Sequence, residues 1–210
     1  GVNIQIEQGP VARVREIRFV GNKRYTDNVL RKQSVFYGNS WTNLLFGRNK
    51  FSQKKLDQDL ENWRSFYLDR GYFEFQILSN DVSISQNKED VFVTVVLFEG
   101  SRYRVGRIAI DGTEELPAAA FRNLLRIQEG MDFSRGAIIG SRIAIEKALT
   151  DKGYAFANVN PVPNLNPDES IANISFIIDP GPKVYVRRIN VMGNTATQDV
   201  VIRREIRQME

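Results

Sequence analysis

The chain has no cysteine and no histidine among its 210 residues. Thiol nucleophiles, thiolate zinc sites, Ser-His-Asp triads and imidazole metal ligands are therefore excluded. No cofactor is expected. The absence of cysteine leaves the redox compartment open, because an oxidising location permits disulfides without requiring them. No apolar run approaches the roughly 18 residues of a membrane-crossing helix. Gly1 is not followed by a charged and apolar leader, and the chain is expected to be a piece of a longer protein. Charge of one sign is also scarce in excess: 29 bases face 25 acids, a formal net charge of +4, with the signs interspersed. A nucleic-acid binder normally concentrates its bases along one face, so no nucleic-acid partner is expected. The pairs Arg187, Arg188 and Arg203, Arg204 are local exceptions, read either as solvated surface or as a contact for an acidic or anionic lipid partner.

What is present is apolar content of 42%, with 13 Phe and 7 Tyr, enough to bury a substantial core. FYLDRGYF at 66–73 is echoed by LTDKGYAF at 149–156. A basic-flanked apolar strand ending in a glycine turn appears three times, as VREIRFVGNKRYT at 14–26, VGRIAIDGTEELP at 105–117 and VRRINVMGNTATQ at 186–198. Each follows a short glycine-containing turn, and the order of these landmarks is fixed, which marks a structural repeat of 80 to 90 residues.

Within the first full unit, alternation over 13–20 predicts a strand with Val14, Ile17 and Phe19 inward and an irregularity between the first two. A short helix fits 27–34, with Thr26 or Asp27 at its start. A longer helix fits 53–69, because Leu56, Leu60, Trp63 and Tyr67 share one face; Ser52 can cap it and Gly71 stops it. A strand beginning at Phe73, a turn at 86–88 and a strand over 91–98 complete the unit. The second unit repeats the plan with a strand at 103–110, a short helix near 117–125, a long helix over 134–151 and strands at 155–163 and 171–178. Ile138, Ile145 and Leu149 match Leu56, Trp63 and Tyr67, while Arg142 stands in the place of Leu60. The expected fold class is α+β, in tandem β-α-α-β-β modules, each a three-stranded mixed sheet with two helices on one face. Domain boundaries are expected at 1–9 for the remnant of a preceding repeat, whose last strand is VNIQIEQ at 2–8. Complete modules are expected at 10–99 and 100–181, and a truncated further module at 182–210. One strand and one helix cannot close a core, so 183–210 is expected either to lack order alone or to be held against a neighbouring surface.

Assembled, these landmarks resemble the POTRA repeats of bacterial outer-membrane protein assembly factors of the BamA family. The VGN turn at 20–22, YLDRGY at 67–72, KGYA at 152–155 and YVRRINVMGNTATQDVVIRREIRQME at 185–210 carry the resemblance. It implies third and fourth repeats complete and a fifth truncated, in the periplasmic portion of a Gram-negative outer-membrane protein. It further implies a chaperone-like scaffold of the BAM complex that serves membrane insertion of β-barrels without being an enzyme. The implied partners are the accessory lipoprotein BamB at the first complete repeat, other BAM lipoproteins through the missing part of the last, and unfolded outer-membrane protein clients.

A binder of extended chain needs an unpaired sheet edge, because its N–H and C=O groups offer a ladder to an arriving strand. The stretch from Phe73 through Ile84 contains no proline, whereas its counterpart AFANVNPVP carries Pro161 and Pro163. Proline removes a ladder donor and protects an edge. An augmentable edge is therefore expected near 73–84 and not in the second unit. The candidate protein-binding residues are Phe73, Glu74, Phe75, Gln76, Ile77 and Leu78; alternation turns Phe73, Phe75 and Ile77 toward the core and leaves contact to the backbone and the other three. The structural candidates are Gly21, Gly71, Tyr72, Gly112, Gly153, Tyr154 and Gly193, with Gly71 and Gly153 closing the long helices. Asp69 and Arg70 read as a charged helix end. An insertion around 37–50 carries Trp41, Leu44, Leu45 and Phe46, either packed over the helices or exposed as a contact patch. The local acids Asp111, Glu114 and Glu115 sit in a surface turn and carry no catalytic signature. The alternative to a binding scaffold is a passive structural spacer between periplasmic partners and the membrane barrel.

Overall fold

The computed structural model describes residues 12–37, 49–111, 117–185 and Val201. The expected strand at 2–8, the residues Trp41, Leu44, Leu45 and Phe46, the turn residues Gly112, Glu114 and Glu115, the four arginines of the Arg187 and Arg203 pairs, and Gly193 lie outside the described residues. So does 183–210 apart from 183–185 and Val201.

The first module runs β1 (Arg13–Val20), α1 (Asp27–Arg31), a single 3-10 turn (Val35–Tyr37), α2 (Gln53–Leu68), β2 (Gln76–Ile84) and β3 (Asp90–Phe98). The second runs β4 (Arg104–Asp111), α3 (Ala119–Arg122), α4 (Arg135–Asp151), β5 (Asn158–Asn166) and β6 (Ile171–Asp179). Each module has one three-stranded sheet, in the orders β1-β3-β2 and β4-β6-β5. The outer pairs β1–β3 and β4–β6 are parallel, while the hairpins β2–β3 and β5–β6 are antiparallel, so both sheets are mixed.

Local sequence explains most of these elements. In β1 a register shift between Val14 and Glu16 lets Val14, Ile17 and Phe19 all face inward despite the three-residue step. In α2, Leu56, Trp63 and Tyr67 are fully buried at helical spacing. Trp63 packs edge-on against Phe19 at 4.9 Å and donates its indole N–H to the Leu30 carbonyl at 2.9 Å. In α4, Ile138, Ile145 and Leu149 occupy the equivalent face. Arg142 lies on the flank, where it pairs with Glu146 at 2.9 Å, and the matching Leu60 is itself only half-buried. The core therefore loses little by the exchange.

Four spans differ from the sequence expectation. The short helix of each module is shorter than predicted: α1 ends at Arg31 and gives way to the 3-10 turn, and α3 is one turn long. The strand expected from Phe73 starts at Gln76, and its counterpart expected from Ala155 starts at Asn158. In both modules a tight turn intervenes, with Tyr72 N–H bonded to the Tyr67 carbonyl and Tyr154 N–H to that of Leu149.

The two cores are separate. One gathers side chains of β1, α1, α2, β2 and β3 around Trp63 and Tyr67; the other gathers those of β4, α3, α4, β5 and β6 around Phe121, Phe176 and Ile145.

Candidate functional site: a sheet edge and a module joint

Among the described residues β2 lies at the margin of its sheet, paired with β3 alone. The Ser85 amide donates to the Asp90 carbonyl at 2.9 Å, which sets the alternation of the hairpin. Along an antiparallel strand, alternate residues turn both backbone groups to the partner and the residues between turn them away. Asn80, Val82 and Ile84 thus present N–H and C=O outward. A bulge between Ile77 and Ser79 leaves Leu78 as the extra residue, 61% exposed.

β5 occupies the equivalent margin but has a different outer rim. It pairs with β6 without interruption from Asn158 to Asn166, so Pro161 and Pro163 sit at outward-facing positions, where a missing N–H costs the ladder nothing. The Val159 side chain is buried, but its backbone also turns to the outer edge, where its amide donates to Glu146 of α4 at 3.3 Å. Three successive outward positions on β5 thus offer no free donor. The outward positions on β2 contain no proline.

The turn before β2 does different work from the strand. Gly71 takes φ 95° and Gly153 φ 94°, a left-handed conformation that suits glycine. A Cβ on Gly71 would stand 2.8 Å from the Tyr103 carbonyl oxygen. The Gly71 carbonyl accepts from the Tyr103 amide at 2.7 Å, and the Gly153 carbonyl accepts from the Val184 amide at 2.8 Å. The same glycine of each module thus holds the chain that leaves it. Phe73 turns away from its own core and packs edge-on against buried Phe133 of the second module, with ring centroids 5.1 Å apart. Phe75 stacks on Tyr67 at 4.2 Å inside the first core, and Glu74 accepts from the Ser101 amide at 3.3 Å. Asp69 reaches the start of α4, where it accepts from the Gly136 amide at 2.6 Å and the Ser134 hydroxyl at 3.3 Å. Glu61 pairs with Arg135 at 3.1 Å nearby. Beside this joint an apolar groove of about 390 Å³ is lined by Leu68, Phe73, Phe75, Phe133, Ile139 and Pro161, among others.

Of the residues expected to bind a partner, the structure places Phe73, Glu74 and Phe75 in the joint and core, and Gln76, Ile77 and Leu78 at the beginning of β2. The outward-facing backbone lies farther along, at Asn80, Val82 and Ile84. Sequence reading missed the cross-module roles of Asp69 and Phe73. Its available signal was the recurrence of an acid two residues before the Gly-Tyr pair, as Asp69 and Asp151. Tyr72 and Tyr154 both pack their rings, against the first and second cores respectively.

Buried polar groups brace the first module. The Glu99 carboxylate accepts from the Tyr67 hydroxyl at 2.8 Å and from the Arg24 amide at 3.0 and 3.1 Å. Burial, then the neighbouring Glu99 carboxylate, pushes the Tyr67 phenol far above its ordinary value. Asp59, fully buried, accepts from the Ser34 hydroxyl and from the Val35 amide at 2.6 Å. Burial raises its carboxyl above the usual Asp value despite these bonds. At the equivalent place in the second module Ser141 accepts from the Arg126 amide at 2.7 Å and donates to the Ala137 carbonyl at 2.8 Å. Among the described residues no group of three or more Asp or Glu could hold a metal ion, and no helix is long and apolar enough to cross a membrane.

Two hairpin-and-helix-pair modules, joined through a glycine carbonyl, correspond to two matches of one family model. POTRA, described as a surface antigen variable number repeat, matches residues 12–100 and 103–181. The chain belongs to the POTRA family. The outer membrane protein assembly factor BamA of Neisseria meningitidis serogroup B is 34% identical over 211 residues, covering 100% of this chain and 26% of that protein. BamA of Buchnera aphidicola is 29% identical over 210 residues, covering 100% of this chain and 34% of the relative. The chain therefore spans a quarter to a third of the length of these curated relatives. Among solved structures, Haemophilus influenzae BamA POTRA3-5 aligns with a TM-score of 0.74 at 29% identity, covering 95% of this chain and 78% of the other. Haemophilus ducreyi BamA lacking POTRA domains 1–3 shares the fold, with a TM-score of 0.62 at 19% identity over 79% of this chain and 29% of the other. The POTRA modules of this chain are thus of the α+β plan read from their sequence.

Proposed function

We propose that this pair of POTRA modules is a periplasmic scaffold segment of an outer-membrane β-barrel assembly factor, and that its first module captures an extended strand along β2. The observation that carries this reading is the contrast between two equivalent edges: β2 turns outward, at Asn80, Val82 and Ile84, backbone that has no partner among the described residues, while Pro161, Pro163 and the Val159–Glu146 bond blunt β5. Such an edge recognises extended chain with little demand on side chains. That property suits a segment that meets many β-barrel sequences, and it equally suits one exposed strand of an accessory protein. The lipoprotein BamB is the partner we assign to this edge. The sequence landmarks support a reading of the modules as the third and fourth of five repeats, and in this proposal further lipoproteins are engaged beyond the second module. Catalysis has no part in this reading.

The spacer reading draws on the hydrogen-bonded joint, which suits a part that only sets distance. Val82→Pro separates the two. It deletes an outward N–H, as Pro163 does in the second module, without touching the ladder to β3. Loss of BamB binding by the Val82→Pro fragment, with the hairpin's amide shifts intact, is the expected result. Unchanged BamB and client-strand binding would leave the spacer reading standing.

A further inference from the structure

The joint contains parts that one module supplies to the other. The α4 helix begins after Ser134, whose hydroxyl oxygen accepts from the Ala137 amide at 3.2 Å, so one of its free first-turn amides is met within the module. A second, that of Gly136, is met by Asp69 of the first module at 2.6 Å. A carboxylate at a helix amino terminus both accepts this bond and opposes the positive end of the helix dipole. Phe73 likewise packs on the core built around Phe133, although it belongs in sequence to the module before. The Gly71 carbonyl receives the Tyr103 amide between them, and Glu61 holds Arg135 at the same helix start.

Gly136 faces Asp69 so closely that an added Cβ would stand 3.1 Å from the carboxylate oxygen. The contacts join residues that precede and follow the linker at 99–102 in sequence, and the Glu99 and Glu74 carboxylates bind the backbone amides of Arg24 and Ser101 respectively. A hinge between independent bodies would leave such groups to water. Here Asp69, Glu61, Phe73 and the Gly71 carbonyl each have a partner in the second module, and Glu74 has one in the linker.

We infer that Asp69 acts as the amino-terminal cap of the neighbouring module's long helix and Phe73 as a member of its core, making the two modules one cooperative unit of fixed relative orientation. Coupling of this kind is reciprocal, so each module is stabilised by the other's folded state to the same extent. The individual contributions are those of a helix cap and one aromatic contact.

Native-state amide exchange and thermal unfolding of the whole 210-residue chain test this. In Asp69→Ala the Gly136 and Ala137 amides are expected to exchange roughly 3- to 10-fold faster, the size of a lost cap. Asp57→Ala, which removes another exposed carboxylate, bonded to Gln53, serves as the control and leaves those rates unchanged. In Asp69→Ala/Phe73→Ala the single unfolding transition of the wild type is expected to split in two, one followed by Trp63 burial and the other by amides of α4. Residual dipolar couplings then lose the common alignment of the two sheets. Two separate transitions in the wild type, or Gly136 exchange indifferent to Asp69→Ala, would overturn the inference.

Discussion

The two modules share a chain plan and differ in what fills it. Where the first buries Trp63 and Tyr67, the second buries Ile145 and Leu149; where the first anchors its short-helix loop on a carboxylate, Asp59, the second uses a hydroxyl, Ser141. Glu99 bonds Tyr67 in the first, while the matching positions of the second hold Pro180 and Leu149, which have no such polar side-chain groups. One backbone thus accommodates a first core in which Asp59 and Glu99 brace Trp63 and Tyr67, and a second in which aliphatic Ile145 and Leu149 take those positions in a cluster with Phe121 and Phe176. The same freedom does not extend to the turn after the long helix, where glycine and tyrosine recur together. The lesson is that the repeat is defined by its backbone constraints, and that individual modules are free to specialise at their cores and edges.

That comparison can be pressed in order of expected effect. Trp63→Ala is expected to cost about 3–5 kcal/mol, since it opens a large cavity and leaves the Leu30 carbonyl without its indole partner. Urea unfolding of this variant beside Ile145→Ala would show whether the aromatic core is the more sensitive of the two; a smaller loss for Trp63→Ala reverses the ranking. Glu99→Ala leaves the Tyr67 hydroxyl and the Arg24 amide unmatched, with an expected loss of about 1–3 kcal/mol in denaturant titration. Pro180→Ala, at the matching place, should change stability by much less.

Asp59 supplies a pH-dependent contrast. Its folded-state carboxyl is held above the ordinary Asp value by burial, so the folded protein takes up this proton more readily than the unfolded chain. The contribution is greatest at pH below the unfolded value of about 3.9 and is lost as pH rises through the folded one. The stability difference between wild type and Asp59→Asn should therefore shift against the wild type from acid toward neutral pH, as read by urea midpoints. A difference growing in the other direction would mean that the bonds from Ser34 and Val35 outweigh desolvation. Smallest in stability is the edge exchange, with Pro163→Val expected to change folding by under about 1 kcal/mol because the proline nitrogen makes no ladder bond. Its effect should appear in binding, by giving β5 a new outward donor. Failure of the variant to gain any strand capture over wild type would show that proline is not what separates the two edges.

Periodicity carried the regular elements well. The alternation of RVREIRFV placed β1 at Arg13–Val20 and its irregularity after Val14, and the face of Leu56, Trp63 and Tyr67 placed α2 to within a residue of its end. It fails where side chains serve a partner distant in sequence. Alternation reads Phe73 as an inward strand residue, yet the Tyr72 amide is bonded back to Tyr67, the strand waits until Gln76, and the Phe73 ring is free to enter the next module. Asp69 reads as an awkward acid at the wrong end of a helix, because only the fold brings it 67 residues along to the favourable end of another. The strand edge was legible for a related reason: proline reports on one hydrogen-bonding group at its own position and needs no knowledge of what lies opposite.

The glycine-carbonyl contact that ends each module also bears on how such chains can grow. From Gly71 to the bonded Tyr103 is 32 residues, and from Gly153 to Val184 is 31, whereas Gly21 to Gly71 is 50 and Gly112 to Gly153 is 41. Length has varied upstream of the glycine and has stayed almost constant downstream. An insertion in the upstream loop enlarges its own module and leaves the starting point of the next unmoved. A module can therefore carry a longer upstream loop while the bond that anchors the next still falls 31 or 32 residues after its glycine.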